Sequence, residues 1–313
     1  MKVLSMLSDK PFQVPPYLLE RAVSMPRVRM VIAGADHPVV LKSVQQASDA
    51  GIIEPVLVGD TDTIQNITAT IGWDRRGLQI VQASGEDKVA NTAVRMCKTG
   101  DAAGLMKGHV HTDCLMKAVI DRERGLRTSR RISHIFHMTV PDQERVLMIT
   151  DGAINIAPDT ATKIDIINNA VLLAHALGNK RPRVALLSGT EVATTSMPSS
   201  MDAAEIKRKA KAGAVPDADV DGPFAFDNAI SPNAAKLKGI EGRVAGQADI
   251  VVVPNIETGN SLFKMMVYFM SGLAAGVVMG ATVPIVLTSR ADPPEARFAA
   301  AAIAAIVANF NQK

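Results

Sequence analysis

The stretch VRMVIAGADHPVVLKSVQQASDAGIIEPVLVGD, residues 28–60, decides how the rest of the chain is read. Its first part, VRMVIAGAD, is an apolar run ending in small residues, as expected of a parallel strand buried on both faces. HPVVLKSVQQASDAG follows with helical spacing and stops at Gly51, a residue type suited to ending a helix. EPVLVGD then supplies a second strand, so the segment reads as a βαβ unit.

Working outward, the alternation continues. LQIVQA reads as a strand, GEDKVANTAVRMCKTG as a helix, DAAGLMKG as a strand and TDCLMKAVIDR as a helix. After Arg127 the texture changes. SRRISHIFHMTVP and RVLMITDGAINIAP read as strands of a mixed sheet, followed by a helix from about Asp159 to Gly178. RPRVALLSGTEV, ADVDGPFAFDNAIS and ADIVVVPNIETGN are further strands, with a helix at SMDAAEIKRKAKAG. TVPIVLTSR is the last strand and PPEARFAAAAIAAIVANF the last helix. The expected class is α/β, with a first domain made of residues 1–127 and 278–313 and a second of residues 128–277. Ligands of such sheets bind outside the carboxyl ends of the strands.

Composition narrows the function classes. With 313 residues, 47% hydrophobic and 21% charged, the chain has the make-up of a two-domain globular protein. Lys and Arg number 34 against 31 Asp and Glu, too slight a basic excess to point to nucleic acid. Two cysteines, Cys97 and Cys114, suggest thiols in a reducing compartment, and the first twenty residues lack the features of a secretory leader. A cytoplasmic location is expected. The uncharged run from Met265 to Leu287 is long enough to span a bilayer, but Gly272, Gly276, Gly280 and Pro284 interrupt it. It reads as a buried helix, a turn and a buried strand.

Neither a G-x-G-x-x-G nor a G-x-x-x-x-G-K-[ST] phosphate cradle is present. In KGHVHTD, His109, His111 and Asp113 alternate, so on a strand they would share a face as metal ligands sometimes do; no Cys/His/Glu cluster elsewhere supports this, and no metal is expected. The end of the last strand is more informative. Asp292 as N-cap would put Pro293 at the first helical position and Glu295 at the third, a capping-box arrangement. That leaves Ser289 and Arg290 unexplained by capping. They end a buried strand just before a helix N-terminus that favours anions, and Arg suits a bidentate grip on phosphate.

Taken together and in order, KGHVHT, SGTEVATTSMPSSMDAAE, VDGPFAFDNAIS, PNIETGNSLFKMMVYF and PIVLTSRAD resemble the phosphate acetyl/butyryltransferase family, over about residues 25–313. The third and fourth motifs look more like the butyryltransferase branch. The resemblance implies reversible transfer of a short-chain acyl group, acetyl to butyryl, between CoA and inorganic phosphate. It further implies two three-layer α/β/α domains of the isocitrate/isopropylmalate dehydrogenase-like kind, the second inserted in the first, with the site in the cleft between them. The implied partners are acyl-CoA, phosphate and acyl phosphate, in a homodimer or higher oligomer, without membrane or nucleic acid. CoA would be a substrate, with no permanently bound cofactor.

Carried onto this sequence, the resemblance makes Ser289 the group that helps polarise the reacting carbonyl and Arg290 a phosphate contact. Thr112, Lys117, Asn260, Lys264 and Tyr268 fall in its phosphate and CoA motifs. Lys117 stands where acetyltransferases have an Arg, and Tyr268 where they have a second one. Their catalytic Asp, seven residues after the Ser, is Ala296 here. Asp292 and Glu295 are the nearby carboxylates: either one of them takes the role of thiol base, or the positive potential of the site lowers the thiol pKa instead. Other readings are a catalytically weak CoA-binding or partner-binding module, or a related-fold acyl-carrier-protein phosphate acyltransferase or metal-dependent dehydrogenase.

Overall fold

A computed structural model describes residues 8–74, 76–288 and 292–312. The chain divides into two compact units. One comprises Gln13–Arg130 and Ala275–Lys313; the other comprises Arg131–Ala274 and the N-terminal segment up to Phe12.

The first unit opens with α1 (Pro16–Val23) and the βαβ segment β1 (Val28–Ala33), α2 (Pro38–Asp49) and β2 (Ile53–Gly59). Next come α3 (Thr61–Thr70), β3 (Gln79–Gln82), α4 (Glu86–Lys98), β4 (Gly104–Lys107) and α5 (Thr112–Val119). α3 is unexpected from sequence, because TDTIQNITAT is rich in β-branched and polar residues of weak helix propensity. It forms because the Asp60 carboxylate caps it, accepting from the Thr63 amide at 2.9 Å and hydroxyl at 2.6 Å, while Ile64 is buried.

The second unit holds β5 (Ser133–Thr139), β6 (Leu147–Thr150), α6 (Thr160–Ala176), β7 (Arg183–Leu187), α7 (Pro198–Lys209) and β8 (Asp219–Phe224). It closes with α8 (Phe226–Ile230), α9 (Pro232–Leu237), β9 (Ile250–Val252) and α10 (Ile256–Met270). The chain returns along β10 (Leu273–Met279), then β11 (Ile285–Val286) and α11 (Pro294–Asn311). The run from Met265 to Leu287 therefore differs from its sequence reading. It is the end of a helix followed by two antiparallel strands, and α10 is divided between exposed and half-buried residues, with only Gly259 fully buried. No described helix is long and apolar enough to cross a membrane.

In the first unit the strands run β3-β2-β1-β4-β11-β10, all parallel except β10. β1 and β4 are buried on both faces, which requires helices on both. α11 is the central one. Its residues from Ala296 to Ala308 are all buried, so alanines that would waste an amphipathic surface here permit close packing on α1, α2, β1, β4 and β11. In the second unit the order is β5-β6-β9-β7-β8, with β6, β9, β7 and β8 parallel and β5 antiparallel to β6. Phe136, Met138, Ile149, Leu187, Phe224 and Val251 form the core on one face, under residues of α8, α9 and α10.

Candidate functional site

In the first unit the parallel register brings the ends of β1, β4 and β11 to one edge: Ile32 pairs with Met106, and Met106 with Val286. The chain leaving β4 turns tightly there. Gly108 donates to the Ala33 carbonyl at 2.8 Å and His109 to that of Gly34 at 2.7 Å. A Cβ on Gly108 would overlap the Gly34 carbonyl, so only glycine lets the two backbones come this close. Lys107, buried at the end of β4, donates from Nζ to the Thr288 carbonyl at 3.3 Å. Thr288 is the last described residue before Ser289 and Arg290, which lie outside the described residues.

KGHVHTD is thus a strand end, a loop and a helix start. His109, His111 and Asp113 share no strand face: His109 stacks on His37, with ring centroids 4.6 Å apart, while His111 is gripped by Glu86. The Glu86 carboxylate reaches His111 Nδ1 with both oxygens, at 2.7 and 2.8 Å, and accepts from the His111 main-chain amide at 3.0 Å. His111 is the N-cap of α5 but does not cap with its side chain. Thr112 starts the helix and Lys117 lies exposed in its last turn.

At Asp292, where the described residues resume, the expected cap is corrected. The N-cap of α11 is Pro293, which has no capping side chain, so Glu295 falls at the second helical position and Asp292 outside the helix. The Ala296 amide is satisfied by the Pro293 carbonyl at 3.1 Å instead. Asp292 has another electrostatic neighbour. Arg297 is buried at the start of α11; burial lowers its guanidinium pKa, and the charge of Asp292 opposes that shift.

The second unit gathers the remaining motifs at the carboxyl ends of its own parallel strands. Asn255 caps α10, its Oδ1 accepting from the Thr258 amide at 3.0 Å. One turn later Gly259 packs against Gly152 in the loop after β6, where a Cβ would lie 2.7 Å from the Asp151 carbonyl oxygen. That contact seats the next residue, Asn260, whose Nδ2 donates to the Gly152 carbonyl at 3.3 Å. Asn260, Lys264 and Tyr268 recur every fourth residue, hence on one stripe of α10, with Lys264 and Tyr268 exposed. Beyond β7 and β8, Glu191 accepts from Lys238 at 2.8 Å and from the buried Asn228, and these contacts hold its carboxyl below the usual range. Asp151 binds its own loop, accepting from the amides of Ala153, Ile154 and Asn155.

Sequence reasoning named Thr112 and Lys117 on α5 and the stripe on α10. It missed Glu86, His111 as a paired group, Lys107 and Arg297. A charged residue closing an apolar run, as in GLMK, or standing alone in an alanine-rich helix, as in Arg297, was the available signal. Nothing in the sequence joins Glu86 to His111, which are 25 positions apart.

Comparison with known proteins gives a consistent result. Residues 88–305 match the family model described as phosphate acetyl/butaryl transferase. A phosphate acetyltransferase of Rickettsia felis is 42% identical over 299 residues, 94% of this chain and 85% of that protein. A phosphate butyryltransferase of Clostridium acetobutylicum is 41% identical over 280 residues, 90% of this chain and 93% of that protein. Among solved structures, the branched-chain phosphotransacylase of Enterococcus faecalis superposes with a TM-score of 0.79 at 34% identity, covering 90% of this chain and 99% of that one.

Proposed function

The chain belongs to the phosphate acetyl/butyryltransferase family, an enzyme that moves an acyl group reversibly between CoA and inorganic phosphate, and from that premise we propose which acyl groups it takes and which residues act. The acyl range runs from acetyl to butyryl, branched chains included. Similar identity to an acetyltransferase and a butyryltransferase, and the likeness to a branched-chain transacylase, support that range. The protein works in the cytoplasm as a homodimer or higher oligomer.

The observation that carries the residue assignment is the Lys107 contact with the Thr288 carbonyl, at the edge where the α5 N-terminus begins. Ser289 and Arg290 follow Thr288 directly in sequence. Arg290 grips the phosphate, with Lys117, Thr112 and helix amides adding charge and donors. Ser289 or a main-chain amide stabilises the oxyanion, a contribution of about 3 to 4 kcal/mol for a preorganised donor. Asn260, Lys264 and Tyr268 on α10 contact the phosphate and CoA groups. The CoA sulfur attacks the acyl phosphate carbonyl directly in a ternary complex, the carbon–sulfur bond forms, and phosphate leaves with the carbon–oxygen pair. Asp292 and Glu295 are the carboxylates that the sequence offers as thiol base.

The test is thiol release from acetyl-, propionyl- and butyryl-CoA, with and without phosphate. Release that requires phosphate is expected for all three. CoA binding without phosphate-dependent release would instead mark a non-catalytic binding module.

A further inference from the structure

We propose that Glu86 and His111 form the acid–base pair of this enzyme, His111 taking the proton of the CoA thiol and passing it to the departing phosphate. The inference rests on the acyl-transfer reading above.

Three features of the pair carry it. A carboxylate only accepts hydrogen bonds, so the two contacts from Glu86 place a hydrogen on His111 Nδ1, and in the neutral ring the lone pair is then on Nε2. The third contact, from the His111 amide to the same carboxylate, fixes the backbone as well as the ring. The pair also stands where the phosphate is expected, at the residue immediately before the first turn of α5, on the edge shared by the ends of β1, β4 and β11. Among the described residues, Asp87 of α4 and Asp113 and Cys114 of α5 are titratable groups on the elements that carry the pair; Cys114 donates from its thiol to Asp87 at 3.4 Å.

A thiol of pKa about 8.5 is only a few per cent ionised at neutral pH. A histidine ring suits the task because one nitrogen can take and return a proton while the other stays hydrogen-bonded. Asp292 carries the charge that opposes the burial shift of Arg297. The proton balance suits a group that both takes and gives. CoA thiol plus acyl phosphate dianion yields thioester plus hydrogen phosphate, so the proton lost by sulfur is matched by one gained by the phosphate. His111 Nε2 takes it as the carbon–sulfur bond forms and returns it as the carbon–oxygen bond breaks. In the reverse direction the same nitrogen takes the proton of hydrogen phosphate as it attacks the thioester.

The test is thioester formation from acetyl phosphate and butyryl phosphate by the full chain, comparing wild type with His111→Gln, His111→Ala and Glu86→Gln. At neutral pH the His111→Gln variant should lose roughly 10²- to 10⁴-fold in kcat with KM for both substrates little changed. Its remaining rate should climb about tenfold per pH unit toward the thiol pKa near 8.5, and added imidazole should restore turnover to His111→Ala. Glu86→Gln should lower kcat in the same sense but less. The proposal is overturned if His111→Gln stays within about tenfold of wild type, about 1.4 kcal/mol, or if correctly folded variants lose activity that neither pH nor imidazole returns. It is equally overturned if Glu295→Gln or Asp292→Asn produces that pH behaviour instead. Wild-type turnover alongside an unimpaired His111→Gln removes only the acid–base pair; absent wild-type turnover removes the acyl-transfer reading with it.

Discussion

At the scale of single residues, the charged groups of this protein divide into those that hold structure and those left to act on substrate. Glu191 and Asp151 each have neighbours within the fold that explain them: the Lys238 and Asn228 contacts, and the loop amides. Arg290 is assigned through its sequence context alone, as the guanidinium after Thr288. Arg290→Ala should reduce turnover in both directions by more than about tenfold, and steady-state kinetics with acyl phosphate and with acyl-CoA check it. Arg290→Lys should recover only part of the loss, because an ammonium lacks the planar fork that matches two phosphate oxygens. The cysteines offer a separate check. Burial pushes the Cys97 thiol up to about 12, and burial together with the Asp87 contact raises Cys114 to about 11. Neither should react quickly with iodoacetamide near neutral pH, and Cys97 should become reactive only on unfolding; mass spectrometry of briefly labelled native protein measures this.

At the scale of elements, helix type follows burial more than amphipathic pattern. α11 is apolar all round because the sheet and α1 and α2 surround it. Ile303 is fully buried at its centre, so Ile303→Ala should destabilise the unit by about 2 to 5 kcal/mol, measured by urea unfolding. α10 is a different case, an apolar sequence at the edge of the core: Leu262, Phe263, Met266 and Val267 are half-buried against it while Met265, Tyr268, Phe269 and Met270 are exposed, so the start of the Met265–Leu287 run is not the buried helix its composition suggests. Its placement depends on Gly259 against Gly152. Gly259→Val should shift α10 off the β6 loop and lower activity more than stability, which parallel kinetic and unfolding measurements separate. The start of α11 shows how far local rules reach: D-P-P-E fits a capping box, yet the helix begins one residue later, at Pro294, and the capping role passes to a main-chain carbonyl.

At the scale of the molecule, each unit is a largely parallel sheet that collects chemistry at its strand ends, and its stability depends on groups far from them. His137 on β5 is fully buried, and burial lowers its pKa from 6.5 to about 4. The unfolded chain takes up this proton near pH 6.5, the folded chain only near 4, so between those values unfolding binds more protons and stability falls as pH falls. Urea midpoints should therefore drop from about pH 6.5 toward about pH 4, and His137→Asn should flatten that part of the curve. The amino-acid sequence by itself determined the α/β class, the strand and helix alternation and the family, because apolar periodicity and ordered motifs are properties of neighbouring residues. It also located Ser289 and Arg290 after the last parallel strand. Only the tertiary structure decided that Lys107 reaches Thr288 across 181 positions, that Glu86 holds His111, and that α10 is half-buried while α11 is enclosed. Those facts depend on which strands become neighbours and at what register, and loop closure between distant segments leaves no periodic trace in the chain.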